Sequence, residues 1–153
     1  MDLSATYTFA APRERVWDLL VDPAVVAACL PGCDTLEPVD GEVDTYRATL
    51  TIGVAAITGR YEATVALQDK VPSESYRLAV DGRGRAGFAK GEARLSLVDT
   101  GNETTVTVSG HAQVGGTIAR VGQRLLGSVS KMMMDKFFAC LQGKLATEAP
   151  VVR

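Results

Sequence analysis

Side chains that commonly perform acid, base or nucleophilic chemistry are sparse in this sequence. It contains one histidine, His111, and the carboxylates best placed to join it are Asp81 and Glu92. A general acid or base must lie within hydrogen-bond reach of a substrate inside a pocket. All three residues fall on the polar side of the alternating patterns described below. We therefore predict no catalytic residue, although a strand bulge between Gly82 and Gly91 would turn one of them inward.

The three cysteines and the histidine have the composition of a Cys3His zinc site. His111, however, falls on a polar sheet face, whereas Cys140 lies in a helical pattern that must cover the opposite face. We therefore predict no metal site. In a cytosolic protein the thiols of Cys29, Cys33 and Cys140 are best interpreted as small buried apolar groups, with a Cys29–Cys33 redox pair as the lesser alternative.

Gly82, Gly84 and Gly87 match the spacing of the dinucleotide-binding fingerprint GxGxxG. That fingerprint requires a strand before it and the start of a helix after it. Here a second strand-like pattern follows, so the glycines indicate a hairpin. We predict no nucleotide and no cofactor other than a bound lipophilic molecule such as a quinone or lipid.

The chain has 153 residues, 46% hydrophobic and 22% charged, with a formal net charge of -2. This profile is typical of one soluble domain and lacks the basic face that nucleic-acid binding requires. No apolar run approaches the roughly 18 residues of a membrane span, and the amino terminus has no secretion signal. We predict a cytoplasmic protein with a single domain over residues 1–147 and a disordered tail over 148–153.

The spacing of apolar residues predicts the elements that position these side chains. Polar and apolar residues alternate from Leu3 to Phe9, and two short helical patterns follow between Pro12 and Pro31. A period of two from Cys33 to Val114 indicates an antiparallel meander. A long helix then begins with Thr117 as N-cap and continues to about Ala146. The fold class is α+β: a curved antiparallel sheet of about seven strands wrapped around a long C-terminal helix, a helix-grip architecture.

Small residues such as Ala63, Ala93 and Gly110 occupy the apolar face of the predicted sheet, where a solid core would place larger ones. Either the helix closes tightly at Gly122 and Gly127, or a cavity remains for a lipophilic ligand. Strong curvature favours the cavity, in which tyrosine hydroxyls could bind a ligand carbonyl and methionines could form an adaptable wall. The predicted cavity residues are Tyr46, Leu50, Ile52, Tyr61, Val65, Tyr76, Leu78, Val80, Ala93, Leu95, Val106, Val108, Leu125, Val129, Met132, Met133 and Phe137.

A meander alternates its connections between the two ends of a sheet, which places the polar turns at one end and the glycine-rich, apolar segments at the other. Exposed apolar groups at the second end would border a ligand entrance or contact a membrane or partner, and arginines there would bind anionic groups. The alternative is that the glycines serve backbone geometry alone. The residues assigned to this entrance are Leu30, Pro31, Val54, Arg83, Arg85 and Phe88.

Several short motifs follow one another in a specific order along the chain. They are Ala11-Pro-Arg-Glu-Arg-Val-Trp17 with Leu20 and Asp22-Pro23, then Cys29-Leu-Pro-Gly32, Gly53, the glycines Gly82, Gly84, Gly87 and Gly91, and Gly115-Gly116-x-Ile-Ala-x-Val-Gly-x-Arg124. With these motifs the chain resembles the G-subunit family of carbon monoxide dehydrogenase, within the START-like, Bet v 1-like helix-grip superfamily. The resemblance implies a non-catalytic accessory protein of a molybdenum hydroxylase such as aerobic carbon monoxide dehydrogenase, with a cavity for a lipophilic molecule such as a quinone.

Three functions are consistent with these observations. The leading hypothesis is a carrier or docking protein that holds a quinone or lipid and presents it to a redox enzyme, with peripheral contact at the inner membrane face. The second is a cyclase or dehydratase-like enzyme, which needs Asp81, Glu92 or His111 to point into the cavity. The third is an assembly factor that binds the molybdenum hydroxylase through its glycine-rich end and whose cavity is incidental.

Overall fold

The computed structural model describes residues 1–54 and 57–148 of the chain, which form seven strands and four helices. In chain order the elements are β1 (Asp2–Phe9), α1 (Arg13–Leu20), α2 (Pro23–Cys29), β2 (Cys33–Pro38), β3 (Thr45–Ile52), β4 (Gly59–Val71), β5 (Ser75–Gly84), β6 (Gly87–Thr100), β7 (Glu103–Gly115), α3 (Thr117–Arg120) and α4 (Gln123–Glu148). The predicted α+β fold class, with two short helices after the first strand, is confirmed.

The strands form one antiparallel sheet in the order β1-β7-β6-β5-β4-β3-β2. Each strand from β2 to β7 pairs with its neighbour in sequence, which is the predicted meander, and β1 closes the series by pairing with β7. Along β1, exposed residues alternate with more buried ones. This alternation gives the sheet an apolar inner face and a polar outer face.

Side-chain hydrogen bonds hold the two connections that follow β1, the one before α1 and the one before α2. The hydroxyl of Thr104, which is fully buried, donates a hydrogen bond of 2.7 Å to the carbonyl of Ala11 and so attaches the connection before α1 to β7. The Asp22 side chain caps α2 by accepting a hydrogen bond of 2.9 Å from the amide of Ala24, and Pro23 supplies a first helical residue that has no amide hydrogen to satisfy.

The long C-terminal helix differs from its prediction at its start. Gly122 has a φ of +90°, a left-handed conformation that ends α3 before α4 begins at Gln123. The predicted N-cap, Thr117, is instead the first residue of α3, and Gly116 takes the capping position. Helix α4 continues to Glu148, the first residue of the predicted tail, and residues 149–153 lie outside the described part of the chain.

Two separate apolar clusters connect the helices to the inner face of the sheet. The first cluster joins α1, α2 and the end of α4 to β1, β5, β6 and β7, and it consists of Phe9, Ala11, Val16, Trp17, Leu19, Leu20, Cys29, Tyr76, Leu95, Leu97, Val106, Val108, Phe138, Leu141 and Leu145. The second cluster joins α3 and the start of α4 to β4 and the segment before it, and it consists of Ile57, Tyr61, Ile118, Leu126 and Val129.

A disulfide between Cys29 and Cys140 links α2 to α4, with the two Cα atoms 5.4 Å apart. The prediction that all three cysteines are separate buried thiols is therefore wrong, and so is the alternative pair of Cys29 with Cys33. Helix packing brings together two residues that are far apart in sequence, which spacing alone cannot show. Cys33 remains free and half-buried, and burial, followed by the charge of Asp34, raises the pKa of its thiol.

The disulfide generates a prediction about stability. It closes a separation of 111 residues, and constraining the unfolded chain over a loop of that length contributes about 5 kcal/mol. Cys140→Ser should therefore lower the free energy of unfolding by up to that amount in a denaturant titration without reductant. Cys33→Ser is the matched control and should change little. Wild-type stability that does not respond to reductant would contradict this contribution.

Candidate functional site

Two adjacent cross-strand rows on the inner face of the sheet are only partly covered. The first row is Leu67, Leu78, Ala93, Gly110 and Leu3, and the second is Tyr46, Val65, Val80, Gly91 and Ala112. Every residue of these two central rows is half-buried. A solid core would bury such apolar positions fully, so solvent reaches the middle of the inner face.

The rows on the two sides of the central rows differ in burial. On one side Tyr76, Leu95 and Val108 are buried in the first cluster, against which Leu67, Leu78 and Ala93 of the first central row also pack. On the other side Ala48 and Ala63 are buried, but Gly82 and Val114 of the same row are half-buried and Ala89 is exposed. Within the described residues, Tyr46, Val65 and Val80 pack against neither cluster. Partial exposure therefore begins at the central rows and continues towards the glycine-rich end of β5, β6 and β7.

Burial also varies along the sheet-facing side of α4. Leu126, Ser130, Met133, Phe137 and Leu141 are three or four residues apart and therefore share one face of the helix. Leu126 and Leu141 are buried, and the three residues between them are half-buried, with Met133 packed against the second cluster and Phe137 against the first. The adjacent Val129 and Phe138 are buried. We call the region between the half-buried central rows and these three residues of α4 the central gap.

Backbone packing explains two of the small residues of the sheet, Gly91 and Gly110. A Cβ on Gly110 would lie 2.6 Å from the carbonyl oxygen of Glu92, and one on Gly91 would clash with the carbonyl of His111. Close approach of β6 and β7 therefore requires these two glycines, whether or not a ligand binds. The alternative of close helix packing at Gly127 is not supported, because a Cβ there would meet nothing within 4 Å.

The predicted cavity residues fall into three groups. Ten are half-buried: Tyr46, Leu50, Ile52, Val65, Leu78, Val80, Ala93, Leu125, Met133 and Phe137. Six are buried in one of the two clusters: Tyr61, Tyr76, Leu95, Val106, Val108 and Val129. Met132 is the exception, because its side chain is 37% exposed at the protein surface.

Sequence reasoning missed three residues of the helix face. Leu126 is buried, and Ser130 and Met134 are half-buried, but none of them was predicted. The predicted face included Val129, Met133 and Phe137 of the same helix, so its direction was close to the observed one. Leu126, next to the predicted Leu125, shares the face of Val129 and Met133 at helical spacing, whereas Ser130 has no apolar side chain to mark it.

The groups considered for catalysis lie on the outer face of the sheet. Asp81 is opposite Lys90 in the strand register, and Glu92 is exposed. His111 is also exposed, and its Nδ1 is 2.9 Å from Oδ1 of Asp2. Within residues 1–54 and 57–148, no three His, Cys, Asp or Glu side chains come close enough together to hold a metal ion.

The strand pairing places the glycine-rich segments at one end of the sheet. The amide of Thr51 donates to the carbonyl of Gly32, and the amide of Ile118 donates to the carbonyl of Ala86, each over 2.8 Å. These bonds join the segment before β2 to the end of β3, and the β5–β6 turn to α3. The loop after β3 is described only in part, because residues 55 and 56 lie outside the described chain.

The side chains assigned to the entrance differ in their surroundings. Leu30, Pro31 and Val54 are half-buried, and Val54 packs against the second cluster. Arg85 and Phe88 are exposed at the β5–β6 turn, with the Phe88 ring 46% exposed. Arg83 is also exposed, but it lines an open polar recess on the outer face that includes Glu62 and Asp81.

Comparison with known proteins agrees with this fold and identifies the family. Residues 6–146 match the family model of CoxG, the G subunit of carbon monoxide dehydrogenase, and the chain therefore belongs to that family. A crystal structure of a conserved protein from Geobacillus kaustophilus is 34% identical, covers 96% of each chain and superposes with a TM-score of 0.92. No curated protein matches the sequence.

More distant structures share the fold alone. A START superfamily protein from Mycobacterium smegmatis is 16% identical, with a TM-score of 0.71 over 95% of this chain and 97% of its own. A Thermus thermophilus protein is also 16% identical, with a TM-score of 0.72 over 98% of this chain and all of its own. None of the helices in the described part of the chain has the length and hydrophobicity needed to cross a membrane.

The open space at Gly127 generates a prediction about packing at the start of α4. Alanine favours a helix over glycine by about 1 kcal/mol, and no neighbouring atom opposes the added methyl group. Gly127→Ala should therefore raise the free energy of unfolding by roughly 0.5 to 1 kcal/mol. Gly110→Ala is the contrasting variant and should destabilise the protein, because its Cβ meets a backbone carbonyl. A destabilised Gly127→Ala would indicate tight helix packing at this point.

Proposed function

We propose that this protein is a non-catalytic binding protein for a lipophilic molecule, which it holds in the central gap. The observation that carries the proposal is the partial exposure of apolar side chains on two facing walls, the central rows and the middle of α4, between two buried clusters. Leaving such surfaces against water is unfavourable by about 25 cal/mol for each Å². An apolar ligand that displaces the water would recover this free energy.

The chemical class of the ligand follows from the composition of the walls. The described residues bring no charged side chain to the central rows, and the helix wall contributes Met133 and Phe137. Methionine adapts its shape to flat or flexible partners. A quinone or a lipid has the required apolar surface, and membership of the CoxG family supports a redox-active molecule such as a quinone.

The partner that we propose is a molybdenum hydroxylase such as aerobic carbon monoxide dehydrogenase. Support for it comes from the family name, which describes a subunit of carbon monoxide dehydrogenase. The glycine-rich end exposes Phe88 beside Arg83 and Arg85, a combination suited to a protein partner or to an anionic lipid surface. In this proposal the protein presents its ligand to the enzyme at the inner membrane face of the cytoplasm.

Two alternatives make different demands on the structure. A cyclase or dehydratase-like enzyme needs an acid or base in the gap, but Asp81, Glu92 and His111 lie on the outer face. An assembly factor needs only the glycine-rich end, and its function does not depend on the central gap. Filling the gap therefore distinguishes a carrier, which loses its function, from an assembly factor, which keeps its enzyme contact.

The most direct variant is Ala93→Phe, because Ala93 lies in a central row between Leu78 and Gly110. The added ring should occupy the gap and weaken binding of the apolar fluorophore N-phenylnaphthylamine at least tenfold. Because the space already exists, the unfolding transition should shift by less than the roughly 1 to 3 kcal/mol that overpacking costs a solid core.

Ala139→Phe is the matched control, since Ala139 is exposed on α4 and the same ring is added outside the gap. It should leave fluorophore binding unchanged. An Ala93→Phe protein that fails to fold, beside a wild-type protein that does not bind the fluorophore, would show that the interior is solid and would overturn the carrier function.

The glycine-rich end generates a separate prediction about membranes. Each basic residue near an anionic surface contributes about 1 kcal/mol to binding. Arg85→Glu should therefore weaken cosedimentation with vesicles of equal parts phosphatidylglycerol and phosphatidylcholine by at least fivefold, while N-phenylnaphthylamine binding in solution persists. Lys136→Glu, an exposed charge reversal in the second half of α4, is the control. Equal losses in both variants would show that overall charge, and not this end of the sheet, governs vesicle binding.

A further inference from the structure

The two edges of the sheet are joined to α4 in different ways. At the β1 edge, the Tyr7 ring stacks on Phe138 with ring centroids 4.2 Å apart, and its hydroxyl donates to Oδ1 of Asp135 over 2.7 Å. At the β2 edge, α2 lies against both β2 and α4, and the disulfide between Cys29 and Cys140 joins α2 to α4. The attachment at the β1 edge is therefore noncovalent, whereas the attachment at the β2 edge includes a bond that reduction can break.

Helix α2 is weakly anchored apart from the disulfide. Within this helix, all of which the structure describes, Cys29 is the only fully buried residue. Val25 is half-buried against the first cluster, and Val26 and Ala27 are half-buried without packing against either cluster of the described residues. Helices shorter than about 12 residues are marginal without tertiary packing, and α2 has seven. The position of α2 therefore depends strongly on the bond that Cys29 makes.

The end of α2 borders the residues assigned to the entrance. Cys29 is followed directly by Leu30 and Pro31, which are both half-buried. The next residue, Gly32, accepts a hydrogen bond of 2.8 Å from the amide of Thr51 at the glycine-rich end of the sheet. The second central row also ends on this side, in β3, which pairs with β2. Movement of α2 away from α4 would therefore open the central gap on the side next to the entrance.

The three sulfur atoms differ in their accessibility and reactivity. Cys29 is buried, whereas Cys140 is half-buried, so an attacking thiolate reaches the sulfur of Cys140 more readily. Cys33 is a poor internal nucleophile. Its thiol donates to the carbonyl of Thr35 over 3.4 Å, and burial, followed by the charge of Asp34, raises its pKa and so lowers the fraction of reactive thiolate.

The compartment gives a reason to expect that the disulfide between Cys29 and Cys140 breaks and forms again. Disulfides in cytosolic proteins are usually transient, because glutathione and thioredoxin keep thiols reduced there. The proposed function places this protein in the cytoplasm. A reversible bond that holds a short helix beside a ligand entrance can control access to the central gap.

We propose that the Cys29–Cys140 disulfide is a redox switch, which a dithiol protein reductant of the thioredoxin type opens so that α2 moves away from α4 and the ligand enters or leaves. This inference rests on the proposed function and adds its regulation. In the oxidised protein α2 closes the β2 side of the central gap. In the reduced protein α2 loosens, while the two apolar clusters keep the sheet and α4 folded.

Reduction proceeds in two thiol–disulfide exchange steps. A thiolate of the reductant attacks Sγ of Cys140, the disulfide bond breaks, and Cys29 leaves as a thiolate that takes up a proton. The second thiol of the reductant then attacks the mixed disulfide and releases Cys140, which also takes up a proton. Two electrons and two protons thus pass to the protein, and the reductant becomes a disulfide.

The test compares oxidised and reduced protein with the substitution Cys33→Ser, which leaves only the two cysteines of the switch. Thioredoxin with its reductase and NADPH supplies the electrons, and emission of the single tryptophan, Trp17, which is buried in the first cluster, reports whether the reduced protein stays folded. Mass spectrometry measures hydrogen exchange of residues 23–30. Stopped-flow fluorescence measures the association and dissociation rates of N-phenylnaphthylamine.

Two further samples serve as controls. Treatment of the reduced protein with diiodomethane joins the two thiols through a methylene bridge that thioredoxin cannot break, and this sample should behave like the oxidised protein in every measurement. Cys140→Ser in the same Cys33→Ser protein cannot form the bond, and it should match the reduced protein with or without thioredoxin.

Reduction should increase hydrogen exchange of residues 23–30 by about tenfold or more, because α2 loses its main anchor, while exchange in β5, β6 and β7 stays the same. Both the association rate and the dissociation rate of N-phenylnaphthylamine should rise about fivefold or more. Their ratio, the dissociation constant, should change much less, because the residues that border the central gap are unaltered.

Several results would overturn the proposal. A disulfide that thioredoxin leaves intact in the folded protein, or a reduced protein whose Trp17 emission shifts to that of the unfolded chain, would show that the bond is structural. Unchanged hydrogen exchange in α2, or faster exchange with unchanged binding rates, would show that the disulfide does not control access, while the binding function stands. If no form of the protein binds the fluorophore, the proposed function fails and the switch fails with it.

Discussion

The difference in width between one helix and the sheet that it must cover governs the rest of this structure. Seven strands spaced about 4.8 Å apart span about 30 Å, whereas a helix with its side chains is about 10 Å wide. Curvature narrows the difference, and the close approach of β6 and β7 at Gly91 and Gly110 shows how tightly those strands are brought together. Helix α4 alone therefore cannot cover the inner face, and α1, α2 and α3 extend the cover in the two clusters.

Different interactions attach the two ends of α4 to the rest of the protein. At one end α1 and α2 extend the cover over the first cluster, and the Cys29–Cys140 disulfide joins α2 covalently to α4. At the other end α3, separated from α4 by Gly122, places Ile118 in the second cluster. The buried contacts between the helices and the sheet are thus concentrated in these two clusters.

The sequence is sufficient to predict the strands and their pairing, because polar and apolar residues alternate along most of the strands and short turns connect neighbours, although the β2–β3 and β4–β5 pairs each contain a register shift. It does not reveal the pairing of Cys29 with Cys140, which depends on how two distant helices pack. It also does not reveal Ser130, because a serine in a helical pattern gives no apolar signal. The small residues Gly91 and Gly110, from which a cavity was predicted, are required by contact with the neighbouring backbone, so they are not evidence for a cavity.

The central claim is that an apolar, accessible gap separates the central rows from the middle of α4. Crystals of the protein exposed to xenon under pressure test it directly, because xenon binds in apolar cavities without needing polar contacts. The account predicts xenon between Val80 or Leu78 of the sheet and Met133 or Phe137 of α4. Absence of xenon there, with these side chains in direct contact across the interface, would contradict it.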